Sequence, residues 1–177
     1  MNLISSKKYR TEIDGFRAFS VLAVVIFHFG FIKNGYLGVD VFFVISGFLI
    51  TGNIYNKVLQ NKFSLTEFYI RRTKRIIPLV SFICLVSLLL GVFFMLPDDL
   101  ENLAQSIIAT NFFNNNLLLL LTTGDYWDLV NEYKPLMHTW SLGIEEQFYL
   151  FFPFIILLIN RFNSKYILPV IIFLTSS

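Results

Sequence analysis

Four apolar runs, each close to the length that crosses a bilayer, dominate this 177-residue chain. They cover residues 16–32, 39–55, 76–96 and 139–159. A transmembrane helix needs about 20 mostly apolar residues, with a range of roughly 17 to 25. The runs therefore predict an all-α fold, a polytopic transmembrane helix bundle with four complete spans.

A fifth apolar run begins at Tyr166 and meets the end of the sequence at Ser177. About a dozen residues are too few to cross a bilayer. We therefore interpret residues 1–177 as a single transmembrane domain that is truncated at its C-terminus. It is expected to be part of a larger polytopic protein or the product of a broken reading frame.

Composition excludes several other classes of protein. Hydrophobic residues make up 55% of the chain and charged residues 15%, against about 45–50% and 25% in soluble domains. An ordinary soluble domain or a disordered chain is therefore excluded. The net charge of +2 is too small to indicate a nucleic-acid partner. The single cysteine, Cys84, rules out a disulfide within the chain.

Lysine and arginine predict the orientation of the spans. Of the 14 such residues, all but Lys33 and Lys134 lie in segments that four spans would place on one side. Loops rich in Lys and Arg stay in the cytoplasm. The N-terminus is therefore predicted to be cytoplasmic.

The segment 97–136, on the opposite side, does not resemble a simple loop. Asp98 and Asp99 are expected to cap a helix there, and three asparagines at 114–116 precede a run of leucines. We predict an amphipathic helix on or dipping into the outer leaflet, followed by a short apolar segment. An additional pair of spans is the alternative. The apolar residues that recur at helical spacing are Leu100, Leu103, Ile107 and Ile108.

Ionisable residues inside spans are expensive and are candidates for function. Arg17 and His28 are eleven positions apart, which places them on one helix face about 16 Å apart. Asp40 opens the second span at a depth similar to that of His28. The alternatives are a snorkelling arginine, a histidine bonded to a neighbouring carbonyl, and an aspartate that caps its helix at the interface.

A basic cluster marks the cytoplasmic start of the third span. Arg72 and Arg75 are three positions apart and share a helix face. Paired guanidinium groups match phosphate oxygens. The alternative is a positively charged anchor that binds anionic headgroups of membrane lipids.

The densest polar string, residues 138–149, opens the fourth span. Glu145 and Glu146 are adjacent about 10 Å into that helix, so they need a cation, a shared proton or water. His138 shares a face with Glu145 if the helix is regular. Ser141 lacks the G-x-S-x-G setting of a hydrolase nucleophile. The His, Asp and Glu residues in the spans are too scattered to predict a metal site.

Together these strings resemble the membrane-bound acyltransferase 3 family of bacterial O-acyltransferases. The opening YRTEIDGFRA (9–18) and the spacing R-x10-H from Arg17 to His28 resemble its N-terminal signature. GVDVFFVISGFLI (38–50) resembles its second-helix string, and FYIRRTKRIIP (68–78) its R-x-x-R region. HTWSLGIEEQFY (138–149) resembles a fourth signature. The motifs follow the family order over almost the whole chain.

The resemblance implies a bundle of about ten helices in the bacterial inner membrane. It implies transfer of an acyl group, most simply acetyl, from cytoplasmic acyl-CoA to a hydroxyl of an extracytoplasmic glycan. Acyl-CoA is then a co-substrate, and no bound cofactor is implied. His28 would be the catalytic histidine. The arginines that would bind the donor are Arg17, Arg72 and Arg75.

Histidine titrates near neutral pH and can take a proton from an attacking hydroxyl. We therefore assign His28 as the general base in direct attack on the thioester, with an acyl-histidine intermediate as the open alternative. Glu145 or Asp40 is expected to orient the ring and stabilise the imidazolium. The fourth-string residues expected to contact substrate are His138, Trp140, Ser141 and Glu146.

Two other functions fit parts of the pattern. Intramembrane His, Asp and Glu also form proton relays in transporters. A non-catalytic lipid-binding or assembly subunit, including an inactive fragment of an acyltransferase, would fit the truncated fifth run.

Overall fold

The computed structural model describes residues 11–122, 135–163 and 169. Within these residues the secondary structure is helical, which confirms the all-α prediction. The elements are α1 (Thr11–His28), α2 (Leu37–Leu59), α3 (Leu65–Phe94), α4 (Pro97–Asn111), α5 (Asn115–Thr122), a 3-10 turn (Met137–Thr139) and α6 (Trp140–Asn163). The chain divides into two compact units, Met1–Asn56 and Lys57–Ser177.

Three helical segments are long and apolar enough to cross a bilayer: α2, α3 and Met137–Arg161. They confirm the second, third and fourth predicted spans. The first predicted span falls in α1, whose 18 residues include Glu12, Asp14 and Arg17, and so α1 is not among the three. The fifth run lies outside the described residues, apart from Pro169.

The third helix begins well before its apolar run. Ser64 accepts a hydrogen bond from the backbone N–H of Glu67, which is the S-x-x-E arrangement that starts a helix. With 30 residues, α3 is about 45 Å long, longer than the hydrocarbon core of about 30 Å. The basic first turns and the apolar span therefore belong to one continuous helix.

Close backbone contacts join α1 to the start of α2 within the first unit. A Cβ atom on Gly38 would lie 2.4 Å from the Ser20 carbonyl oxygen, and one on Gly35 would lie 2.3 Å from that of Ala23. Small residues permit this kind of approach between membrane helices. The Arg17 guanidinium also lies 5.0 Å from the centre of the Phe42 ring, within the range of a cation–π interaction.

Helices α4 and α5 form a helical hairpin, which we call the 97–122 hairpin. Leu103 of α4 contacts Gly91 of α3, whereas Asn111, at the end of α4, lies beside Cys84. The chain therefore turns back and runs antiparallel to α3. The buried core of this contact comprises Val80, Cys84, Leu103 and Leu136.

The hairpin confirms the predicted helix in the 97–136 segment and corrects two details. Pro97 occupies the first helical position and Leu96 is the N-cap, with no side-chain cap hydrogen bond. Asp98 and Asp99 therefore lie in the first turn, where they interact with the helix dipole rather than capping it. With 15 residues, α4 is too short to be one of an additional pair of spans.

Candidate functional site

His28 is the last residue of α1, and its ring is held by its own helix. Nδ1 lies 2.7 Å from the Val24 carbonyl oxygen. A carbonyl only accepts hydrogen bonds, so the neutral ring donates from Nδ1 and carries its lone pair on Nε2. This is the neighbouring-carbonyl contact considered as an alternative from the sequence. It also fixes the tautomer in which Nε2 can act as a base.

Arg17 lies on the same continuous helix as His28, in agreement with the face predicted from their spacing. Its guanidinium is half-buried against Phe42. Asp40 is exposed in the first turn of α2, where a carboxylate is favoured by the positive end of the helix dipole.

An ion pair joins α3 to α6 in the second unit. Arg72 Nη2 donates to Glu146 Oε1 at 2.7 Å, and the two side chains are only 20% and 12% exposed. The guanidinium carbon also lies 3.4 Å from the centre of the Tyr149 ring. Arg72 is therefore held by a carboxylate and an aromatic face together.

Glu145 has a different partner, the hydroxyl of Tyr149, which donates to its carboxylate. The adjacent carboxylates therefore do not share one ligand. Glu146 has the cation and Glu145 has a hydroxyl donor. The cation expected from the sequence is present at Glu146, whereas the tyrosine hydroxyl at Glu145 was not among the expected partners.

A second contact fixes the register of α3 against α6. Tyr69 donates to the Leu150 carbonyl oxygen at 2.7 Å, and its ring stacks on that of Phe154 at 6.1 Å. Because Tyr69 precedes Arg72 and Leu150 follows Glu146, the two helices run antiparallel.

The tip of the 97–122 hairpin meets α6 at Gln147. Gln147 Nε2 lies 3.0 Å from the Phe113 carbonyl oxygen, 3.0 Å from Asn116 Oδ1 and 3.2 Å from Asn114 Oδ1. Asn116 Nδ2 donates back to Gln147 Oε1 at 3.2 Å. Gln147 follows Trp140 by seven positions, so the tip lies about 10 Å along the axis of α6 from its start.

A buried polar network holds the hairpin to the segment before α6. Asn115 Nδ2 donates to the Leu136 carbonyl at 2.8 Å and to Thr139 Oγ1 at 2.7 Å. The Thr110 and Thr139 hydroxyls are 2.9 Å apart. Gly143 allows close packing, since a Cβ there would lie 2.9 Å from the Phe113 carbonyl oxygen. The hairpin therefore packs along much of the 138–149 string.

A cavity of about 520 Å³ opens where α3, α6 and the hairpin tip meet. This volume lies within the range of about 300–1,000 Å³ for small-molecule sites. Its polar wall contains Arg72, Glu146, Gln147 and Asn114. The apolar lining residues include Ile76, Ile77, Phe112, Leu117, Leu150 and Phe151.

The remaining predicted residues lie elsewhere in the second unit. Arg75 is exposed on α3. His138 lies in the 3-10 turn, so the α-helical spacing that would align it with Glu145 does not apply. Trp140 is the first residue of α6, and Ser141 Oγ donates to the His138 carbonyl at 3.2 Å.

Sequence reasoning did not identify Tyr69, Asn114, Asn116 or Gln147 as part of a site. Gln147 sits directly after the two glutamates in an apolar helix, and a buried amide needs partners. That signal could have singled it out. Its partners in the hairpin were not accessible from sequence, because they depend on how α4 folds back.

The span-length helices and the intramembrane polar groups define a multi-pass membrane protein. Residues 10–177 match the model of the family described as "Acyltransferase domain". The chain belongs to this acyltransferase family, as its motifs indicated.

Relatives with curated records include the peptidoglycan O-acetyltransferase OatA of Listeria monocytogenes. It is 40% identical over 172 residues, which cover 94% of this chain and 28% of the relative. The O-acetyltransferase OatA of Staphylococcus aureus is 40% identical over 92% of this chain and 27% of its own length. An uncharacterized protein of Haemophilus influenzae is 46% identical over 67% of this chain and 48% of its length.

The chain therefore spans little more than a quarter of the length of the two named acetyltransferases. No solved structure matches the chain.

Proposed function

We propose that the chain forms part of an integral-membrane O-acetyltransferase. The donor is acetyl-CoA on the cytoplasmic side, and the acceptor is a hydroxyl of an extracytoplasmic cell-wall glycan such as peptidoglycan. Membership of the acyltransferase family and 40% identity to two O-acetyltransferases support the reaction class. The proposed location is the bacterial inner membrane, and the distribution of Lys and Arg supports a cytoplasmic N-terminus.

The observation that carries the proposal is the geometry of His28. The hydrogen bond from Nδ1 to the Val24 carbonyl directs the lone pair of the neutral ring to Nε2. The lone pair of an imidazole Nε2 can accept a proton from an attacking hydroxyl, which is the work of a general base. The backbone carbonyl of Val24 orients the ring.

The proposed reaction is a direct transfer of the acetyl group to the glycan hydroxyl. Nε2 of His28 takes the proton of the glycan hydroxyl while the hydroxyl oxygen attacks the thioester carbonyl carbon. The tetrahedral intermediate collapses, the carbon–sulfur bond breaks, and the acetyl group remains on the glycan oxygen. The coenzyme A thiolate takes the proton from the imidazolium and leaves as the thiol. In the alternative route Nε2 attacks the thioester carbonyl carbon, the carbon–sulfur bond breaks, and the coenzyme A thiolate leaves. The glycan hydroxyl then attacks the acetyl group on the ring, the bond to Nε2 breaks, and the thiolate takes the hydroxyl proton.

The donor is anionic, and Arg17, Arg72 and Arg75 are proposed to bind its phosphates. Arginine carries five N–H donors, and the Arg72 hydrogen bond to Glu146 uses one of them. Glu146 and Tyr149 therefore hold the Arg72 guanidinium group in a fixed orientation before a phosphate binds.

The other polar residues divide into two groups, one proposed to act on His28 and one proposed to contact the glycan. Asp40 and Glu145 are proposed to stabilise the imidazolium that forms on His28. His138, Trp140 and Ser141, at the start of α6, are proposed to contact the glycan. Both assignments are tested by measuring transfer for each single variant.

The test measures the rate at which labelled acetyl groups pass from acetyl-CoA to peptidoglycan fragments. It uses membranes that contain the full-length protein. His28→Gln keeps the side chain polar but removes the base. We expect loss of at least about a hundredfold in rate, the lower end for general-base catalysis. Lys62→Ala, in the exposed segment before α3, is the control and should transfer at the wild-type rate.

Equal rates for the His28→Gln variant and wild type would overturn the role of His28. Ion or solute flux without any acetylated product would instead support a transporter.

A further inference from the structure

The cavity between α3, α6 and the hairpin tip has an amide-lined wall that the reaction proposed above does not use. Asn114 and Gln147 both line it. They face a cavity whose other walls are mostly apolar side chains together with the Arg72–Glu146 pair. The hydrogen-bonding capacity of these two amides indicates what the cavity binds.

Gln147 Nε2 has more acceptors around it than it has hydrogens. Gln147 Nε2 has two hydrogens and three acceptors within 3.2 Å. The reciprocal pair with Asn116 takes one hydrogen. The Phe113 carbonyl, at 3.0 Å, is closer than Asn114 Oδ1, at 3.2 Å, and takes the other. Asn114 Oδ1 is therefore the surplus acceptor.

Asn114 is positioned to form a hydrogen bond with a ligand. Its backbone carbonyl accepts from Leu117 and Leu118 at 3.0 Å, so it begins α5. An asparagine at this position ordinarily caps the helix with its side-chain oxygen. Here the oxygen turns toward Gln147, the residue is exposed, and the amide lines the cavity.

We propose that this cavity binds a secondary amide group of a substrate, with Asn114 as the binding residue and Gln147 as the residue that positions it. Oδ1 of Asn114 accepts the N–H of the ligand amide or Nδ2 donates to its carbonyl oxygen. A lipid acyl chain would fit the apolar walls. It would offer the exposed Asn114 amide no hydrogen bond and would displace water from it, which is unfavourable.

The proposal rests on the proposed function for its choice of ligand. Two substrates of that reaction carry secondary amides: the pantetheine arm of acetyl-CoA and the acetamido groups of cell-wall amino sugars. The chemistry at Asn114 is the same for both, so the experiment has one arm for each source.

The test uses Asn114→Ser in the complete protein in membranes. Serine retains the N-cap preference of α5 but removes the amide, so the helix is preserved. Asn102→Ser, at an exposed position in the middle of α4, is the matched control. One hydrogen bond contributes about 0.5–1.5 kcal/mol, or about two- to tenfold in affinity.

If the donor amide is bound, Asn114→Ser raises KM for acetyl-CoA by that factor and leaves kcat and the KM of the glycan unchanged. It has no effect with an amide-free acetyl thioester of a short thiol. If the glycan amide is bound, KM rises for the N-acetylated acceptor only and not for its de-N-acetylated form. No change in either KM relative to Asn102→Ser, or an equal change with and without the substrate amide, overturns the proposal.

Failure of the proposed function is a separate outcome, in which wild type transfers no acetyl group from acetyl-CoA. The cavity is then tested directly by equilibrium binding of pantetheine and of N-acetylglucosamine to the purified protein. Binding of one of them that is weakened by Asn114→Ser and not by Asn102→Ser supports the amide site. Absence of binding of both overturns it.

Discussion

Replacing Glu146 with Gln removes the negative charge that faces Arg72 and preserves the size of the side chain. The two groups are 2.7 Å apart and only 20% and 12% exposed, so little solvent screens them. The variant leaves the Arg72 cation beside a neutral amide. We expect this to destabilise the contact between α3 and α6.

The expected magnitude follows from the separation of the charges. Two unit charges about 4 Å apart attract by about 4 kcal/mol at an effective dielectric constant of 20. The Gln oxygen still accepts a hydrogen bond from Arg72, and the Tyr149 ring, 3.4 Å from the guanidinium carbon, still stabilises the cation by about 0.5–2 kcal/mol. We therefore expect Glu146→Gln to lower the free energy of unfolding by about 2 kcal/mol.

The assay is equilibrium unfolding in mixed detergent micelles, followed by tryptophan fluorescence. Glu67→Gln is the matched control, because Glu67 pairs with Arg71 on the same helix and both side chains are more than half exposed. It should change stability by no more than about 0.5–1 kcal/mol. The double variant Arg72→Met/Glu146→Leu should return to within about 1 kcal/mol of wild type, because no unpaired charge remains.

The coupling of Arg72 and Glu146 is refuted if the double variant loses as much stability as Arg72→Met and Glu146→Leu added together. That result would mean that the two side chains contribute independently and are not a coupled pair.

The remaining predictions concern backbone packing and the hairpin tip. Gly38→Ala places a Cβ 2.4 Å from the Ser20 carbonyl oxygen and should lower the free energy of unfolding by about 1–3 kcal/mol. Gly47→Ala is the control, because a Cβ there meets open space and should leave the free energy of unfolding unchanged. Equal thermal stability of the two variants would contradict the close α1–α2 contact. Gln147→Leu removes the hydrogen bonds to the hairpin tip and should speed amide hydrogen exchange in α5, measured by mass spectrometry. The exposed Gln105→Leu should leave that exchange unchanged, and the same protection in both variants would contradict the role of Gln147.

Several features of the site could be predicted because they depend on one segment of sequence. The alignment of Arg17 with His28 requires only a regular helix, and α1 provides it. The need of Glu145 and Glu146 for partners requires only that charged groups lie in an apolar helix. The Ser64 and Glu67 capping pair, visible in the sequence, sets where α3 begins.

Other features could not be predicted because they join distant segments. The cation that pairs with Glu146 is Arg72, 74 positions earlier, and the acceptors for Gln147 come from the hairpin tip more than 30 positions earlier. The donor for Glu145 is an exception, because Tyr149 lies one turn along the same helix and this spacing was visible in the sequence.

The sequence by itself therefore determined the helical class, the span-length segments, the family and the polar residues that need partners. Only the tertiary structure decided that α4 folds back along α3, that the hairpin tip reaches Gln147, and that Arg72 lies between Glu146 and Tyr149. The physical reason is that lipid and protein interiors are both apolar, so hydrophobic patterning marks a membrane helix without marking its neighbours. Those neighbours are set by small residues and polar pairs, whose partners are fixed only when the helices pack.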